Sequence, residues 1–99
     1  MLIHTVMWKF ADAEGKTKAE NADIVKEGLE ALIGKVPVLQ SIAFFKNEVV
    51  CDRNFDAMLV VKVANEADLD AYKNHPAHKA VAAYVAKVTT ARAAVDIYA

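Results

Sequence analysis

Hydrophobic residues along this chain follow two different periods, and the switches between them dictate the order of its elements. From Leu2 to Phe10, His4, Val6, Trp8 and Phe10 fall on one face of an extended segment, while Ile3, Thr5 and Met7 fall on the other. Apolar residues on both faces predict a strand buried on both sides. Thr17 and Glu20 then stand at the spacing of a capping box, in which each side chain accepts the other residue's free backbone amide. Ala22, Val25, Leu29, Leu32 and Val36 follow at three- and four-residue spacing, predicting a long amphipathic helix that Gly34 and Pro37 bring to an end.

The residues of an extended chain return in Leu39–Val50 and again in Phe55–Val63, two runs rich in aromatic and branched side chains that the Asp52-Arg53-Asn54 turn joins into a hairpin. Asn65 caps a short helix containing Leu69 and Tyr72. Pro76 has no amide to donate and biases its predecessor toward extended backbone, so it opens a second helix carrying Val81, Tyr84, Val85 and Val88. A last strand, Ala93 to Tyr98, alternates again. The predicted order is β-α-β-β-α(α)-β, the α+β, ferredoxin-like arrangement in which an antiparallel sheet carries its helices on one face.

That arrangement leaves the other sheet face in need of cover. A chain of 99 residues makes one domain, and its 56% hydrophobic content is too high for disorder. With Ile3 and Met7 on the open face, a second copy of the chain is the expected cover, giving a two-fold homodimer. A net charge of −1 and 12 scattered Lys and Arg give no basic footprint for nucleic acid. No apolar run is long enough to span a membrane. The first ten residues lack the basic start and cleavage site of a leader, and the lone Cys51 allows no internal disulfide, so a cytoplasmic setting is expected.

Candidate chemistry concentrates in Tyr72-Lys73-Asn74-His75-Pro76-Ala77-His78, a phenol and two imidazoles around a backbone break. A neutral His78 suits abstraction of a proton next to a carbonyl, and the Tyr72 hydroxyl suits donation to the developing enolate oxygen. His4 is placed to orient substrate or tune His78. Val6, Trp8, Phe10 and Tyr84 are expected to wall the pocket, with Trp8 the wall residue that could instead face the dimer partner. His75, just before Pro76, is included as a possible ligand contact against its plainer role as a cap. The plainer reading of His4 is a hydrogen-bonded core histidine, and of Tyr72 a filled core gap. His75 and His78 are three apart but not on one helix, and no nearby Cys or carboxylate completes a ligand set, so neither a metal nor an organic cofactor is assigned.

His4-Thr5-Val6-Met7-Trp8-Lys9-Phe10, the helix with Gly28-Leu29 and its Val36-Pro37 exit, and Tyr72 followed by His75-Pro76-Ala77-His78 together resemble the stress-responsive alpha/beta-barrel (Dabb) family across nearly the whole chain. The resemblance implies a ferredoxin-like protomer whose sheet pairs with its twin to form a homodimeric α/β barrel, with a small-molecule cavity between sheet and helices in each subunit. It also implies, by likeness to a plant polyketide cyclase of the family that uses neither metal nor organic cofactor, that Tyr72 and His78 are the acid and base and His4 the first-strand histidine. A further histidine of that cyclase's third strand has no counterpart within Phe55-Asp56-Ala57-Met58. The expected function is cofactor-free proton transfer, of aldol cyclase, lyase or isomerase type, on a small carbonyl compound. A non-catalytic binder or stress-protective dimer, and a cofactor-free monooxygenase, are the alternatives.

Overall fold

The computed structural model describes residues 1–99 and shows the predicted order of elements, with one four-stranded sheet. Strand β1 (Leu2–Phe10) is followed by helix α1 (Lys18–Glu30), strands β2 (Ser41–Lys46) and β3 (Ala57–Val63), helices α2 (Glu66–Asn74) and α3 (Pro76–Val88), and strand β4 (Thr89–Tyr98). The four strands lie in the order β2-β3-β1-β4, every neighbouring pair antiparallel. Placing β3 between β1 and β2 is the split βαβ connection of the ferredoxin-like fold.

The caps read in the sequence form as expected. Thr17 accepts the Glu20 amide and Glu20 returns the bond to the Thr17 amide at 3.0 Å, starting α1. The Asn65 side chain accepts the Asp68 amide at 2.9 Å and starts α2, and Pro76 occupies the first turn of α3. Three boundaries differ from expectation. Helix α1 stops at Glu30, and Leu32 and Val36 enter the core from the turns after it, so their spacing continued the helical pattern without the helix. Strand β2 is shorter than Leu39–Val50, because residues 47–56 form a long loop. Strand β4 begins at Thr89, immediately after α3: the Thr89 hydroxyl donates to the Val85 carbonyl at 2.8 Å while its backbone is already extended. Its first half, Thr-Thr-Ala-Arg-Ala-Ala, has no bulky alternation to reveal a strand.

The helices cover one face of the sheet. Leu2, His4, Val6, Trp8 and Phe10 of β1 and Ala57, Leu59, Val61 and Val63 of β3 point into that layer and are buried, against Val25 and Leu29 of α1, Leu69 and Tyr72 of α2, and Val85 and Val88 of α3. Trp8 is therefore a core residue on the helix side and not on the open face. Helices α1 and α3 approach closely where α1 has Gly28; a Cβ there would lie 3.2 Å from Val81 Cγ1. The opposite face is bare and apolar: Phe45, Val95 and Ile97 are each at least half exposed, with Met58 beside them.

At its middle, the outer edge of β2 is covered by α1. The Phe44 amide donates to the Glu30 carboxylate at 3.0 Å, and the Lys26 ammonium donates to the Phe44 carbonyl at 3.0 Å and to Glu30 at 3.1 Å. One helix turn thus satisfies backbone groups that an edge strand ordinarily leaves to solvent. No helix is long and apolar enough to cross a membrane.

Candidate active site

A cavity of about 220 Å³ opens between the centre of the sheet and the α2–α3 pair. It exists because Pro76 bends the chain: α2 ends at Asn74, His75 takes an extended backbone, and α3 leaves in a new direction. Tyr72 on the last turn of α2 and His78 on the first turn of α3 are brought to the same wall, their ring centroids 4.5 Å apart. Val6, Trp8, Leu29, Leu59 and Val85 supply apolar walls, and His4, Thr89 and Arg92 add polar groups.

The Tyr72 side chain is wholly buried, and its hydroxyl has no hydrogen-bond partner in the protein. Leaving a buried hydroxyl unpaired costs about 1–3 kcal/mol, so such groups are scarce in folded chains. Burial pushes the phenol pKa up to about 12, so it stays protonated across the physiological range and remains a donor.

His78 is held differently. Its Nδ1 lies 3.0 Å from the Lys73 carbonyl. A carbonyl can only accept, so Nδ1 carries the proton and, in the neutral ring, Nε2 keeps the lone pair. Burial lowers the His78 pKa from its usual value; the Lys73 carbonyl opposes this by favouring the charged ring, and the nearby His4 and Lys73 charges add to the lowering. The ring is therefore neutral at pH 7, with a free basic nitrogen.

His4 is almost fully buried on β1, and its Nδ1 meets the Asp96 carboxylate at 2.5 Å. Asp96 lies directly across the β1–β4 ladder from it. A carboxylate on Nδ1 fixes the His4 tautomer and ring orientation, the arrangement that holds a catalytic imidazole in place in hydrolytic triads. Neither Asp96 nor Arg92 was singled out from the sequence. No local signal marks them, because their relation to His4 and Trp8 depends on the register of strands some ninety residues apart.

Five expected site residues, His4, Val6, Trp8, Tyr72 and His78, line this one cavity. Three do not. His75 is the cap between α2 and α3, its Nδ1 accepting the Ala77 amide at 3.1 Å. Tyr84 points to α1 and donates to the Asn21 side chain at 2.7 Å. Phe10 shares the face of His4 but sits six residues further along β1, roughly 20 Å away at about 3.4 Å per residue, where it packs edge-on against Trp8 and Phe44. Four larger hollows, of about 610, 660, 390 and 400 Å³, contain no histidine, and Tyr98, in the third, is their one tyrosine. In the first of them, Lys18 and Asp56 pair at 3.3 Å and Asp56 also accepts the Phe10 amide, so these two charges are structurally committed.

With this geometry in hand, comparison with known proteins places the chain. The family model described as "Stress responsive A/B Barrel Domain" matches residues 2–99. A dimeric protein of unknown function and ferredoxin-like fold from Bacteroides fragilis is 28% identical, with a TM-score of 0.79 over 97% of this chain and 93% of its own. A dimeric ferredoxin-like protein of unknown function from Thermobifida fusca is 25% identical, with a TM-score of 0.82 over 97% of this chain and 88% of its own. SnoaB, a cofactor-independent oxygenase from Streptomyces nogalater, shares the fold at 9% identity, with a TM-score of 0.77 over 99% of this chain and 91% of its own. No curated protein matches the chain.

Proposed function

The chain belongs to the stress-responsive A/B barrel (Dabb) family, and from that premise we propose that it is a homodimeric enzyme catalysing cofactor-free proton transfer beside the carbonyl of a small molecule held in the 220 Å³ cavity. The observation that carries this reading is the buried, unpartnered Tyr72 hydroxyl beside a neutral His78. A substrate carbonyl oxygen is the partner the hydroxyl lacks.

In the proposed step, His78 Nε2 takes a proton from the carbon next to the carbonyl, and the electron pair of that C–H bond moves into an enolate whose oxygen accepts from Tyr72. The imidazolium then returns the proton to a different carbon of a conjugated enolate, an isomerisation, or the enolate carbon attacks a second carbonyl of the same molecule and the imidazolium protonates the alkoxide so formed, an aldol ring closure. His4, oriented by Asp96, positions the second polar end of the substrate. The apolar walls exclude water and so strengthen both hydrogen bonds. The oxygenase reading shares only its fold with the Streptomyces protein; no group in the cavity favours it over proton transfer.

The test is hydrogen–deuterium exchange at the carbons flanking the carbonyl of 2-hexanone, followed by proton NMR in heavy water. The expected result is exchange accelerated by the protein and reduced by about 10²-fold or more in both Tyr72→Phe and His78→Ala. Binding of 2-hexanone without acceleration would replace the enzyme by a small-molecule binder.

A further inference from the structure

Arg92 is the one Lys or Arg on the wall of the cavity, and no carboxylate of the chain pairs with it. It stands on β4 opposite Trp8 in the ladder and is exposed at the cavity's margin. The ion pairs of the chain are His4–Asp96, Lys18–Asp56, Lys26–Glu30 and Lys46–Asp23, and Arg92 joins none of them. Two other polar side chains of the same strand are committed elsewhere: Asp96 to His4, and the Thr89 hydroxyl to the Val85 carbonyl. A cation left uncommitted beside a mostly apolar chamber with a proton-transfer pair at its other wall has the placement of a substrate anchor.

We infer that Arg92 binds a carboxylate of the substrate, so that the molecule processed here is a small oxo acid, its carbonyl on Tyr72 and its carboxylate on Arg92. This rests on the proposed use of the cavity and adds the class of substrate. The guanidinium presents two parallel N–H donors that match the two oxygens of a carboxylate. No lysine and no second arginine lines the cavity, so the balance is one positive charge for one negative charge, which favours a carboxylate over a phosphate. Size limits the rest of the molecule. If each non-hydrogen atom takes about two-thirds of the ~30 Å³ that a water molecule occupies, a 220 Å³ cavity holds a substrate of about ten such atoms.

The matched probes are 5-oxohexanoate and 2-hexanone, which share a methyl ketone on a six-carbon chain and differ in the terminal carboxylate. Trp8 is the single tryptophan of the chain and lines the cavity, so its fluorescence reports the binding of either. The expected result is that 5-oxohexanoate binds about tenfold more tightly than 2-hexanone, that added salt reduces this preference, and that Arg92→Gln abolishes it. Arg92→Lys, which keeps the charge without the two-pronged geometry, retains part of it. Equal affinities in the parent protein, or a preference unchanged in Arg92→Gln, overturn the inference while leaving 2-hexanone exchange to judge the proton-transfer reading. Inorganic phosphate displacing 5-oxohexanoate at lower concentration than acetate does also overturns it, by making the anchor a phosphate site. Carboxylate-dependent binding through Arg92 without exchange of either probe upholds the anchor and removes the catalysis.

Discussion

Tyr72 separates a catalytic role from a structural one by the sign of a single measurement. Its hydroxyl is buried without a partner, so Tyr72→Phe removes an uncompensated polar group and nothing else. Thermal unfolding of Tyr72→Phe is expected to show unchanged or higher stability, by up to about 1 kcal/mol, alongside the loss of ketone exchange; a marked fall in stability would mean that the hydroxyl has a structural partner. His78 makes a prediction in pH. Burial holds its pKa below that of the unfolded chain, so as pH falls through 6.5 the unfolded state binds more protons than the folded one, and stability is lost on acidification toward the folded pKa. The base form survives over the same interval. Exchange should therefore be level from pH 8 to about 6.5 and decline only below, and the acid-side loss of stability should shrink in His78→Gln. A rate that already falls above pH 6.5 would contradict the lowered pKa. The meeting of Tyr72 and His78 on one wall was legible in the sequence, because they lie within seven residues around a proline and the local backbone sets their relation. Asp96 and Arg92 were not legible, since only strand pairing brings them to His4 and Trp8. Phe10 and Tyr84 were misplaced for a related reason: alternation gives the face of a strand but not the distance along it, and helical spacing gives the apolar side but not the neighbour that a hydroxyl finds.

At the scale of elements, the cavity depends on how close α1 and α3 can come. Gly28 is in a helix interior, where alanine is ordinarily better by about 1 kcal/mol. Here the added Cβ would meet Val81 Cγ1 at 3.2 Å and Cγ2 at 3.5 Å. A β-branched side chain in a helix is confined largely to one rotamer, and rotating it exchanges one methyl for the other, so relief requires the helices to part. Gly28→Ala is expected to lower stability by about 1 kcal/mol in chemical denaturation, overpacking outweighing the helix propensity it gains, and Gly28→Ala combined with Val81→Ala to recover it. Stabilisation by Gly28→Ala alone would show that α3 yields freely. The capping residues Thr17, Asn65 and Pro76 were readable because each acts within three residues of itself. The end of α1 was not, because Leu32 and Val36 keep a helical rhythm while reaching the core from turns.

For the whole molecule, the bare sheet face is the dominant unsatisfied feature. Phe45, Val95 and Ile97 stand on it at least half exposed in the single chain, a contiguous apolar surface of the kind that soluble monomers avoid. Two of the most similar structures are of dimeric proteins with this fold. Replacement of Val95 and Ile97 together by aspartate is expected to shift the protein to monomer in analytical ultracentrifugation and to lower its thermal stability, because the helix-side core of a 99-residue domain is small. An unchanged sedimentation coefficient would place the partner elsewhere.

The bonds from Lys26 and Glu30 to the Phe44 backbone bear on what happens when many copies of the chain are crowded together. Fibre growth by strand addition needs two receptive borders, one to join the last molecule and one to receive the next. With the middle of the β2 border already engaged by its own helix at Phe44, the β4 border is the more receptive of the two, and molecules that meet there leave their less receptive borders outward. A lysine and a glutamate on the first helix thus make growth along the sheet less favourable at one border than at the other.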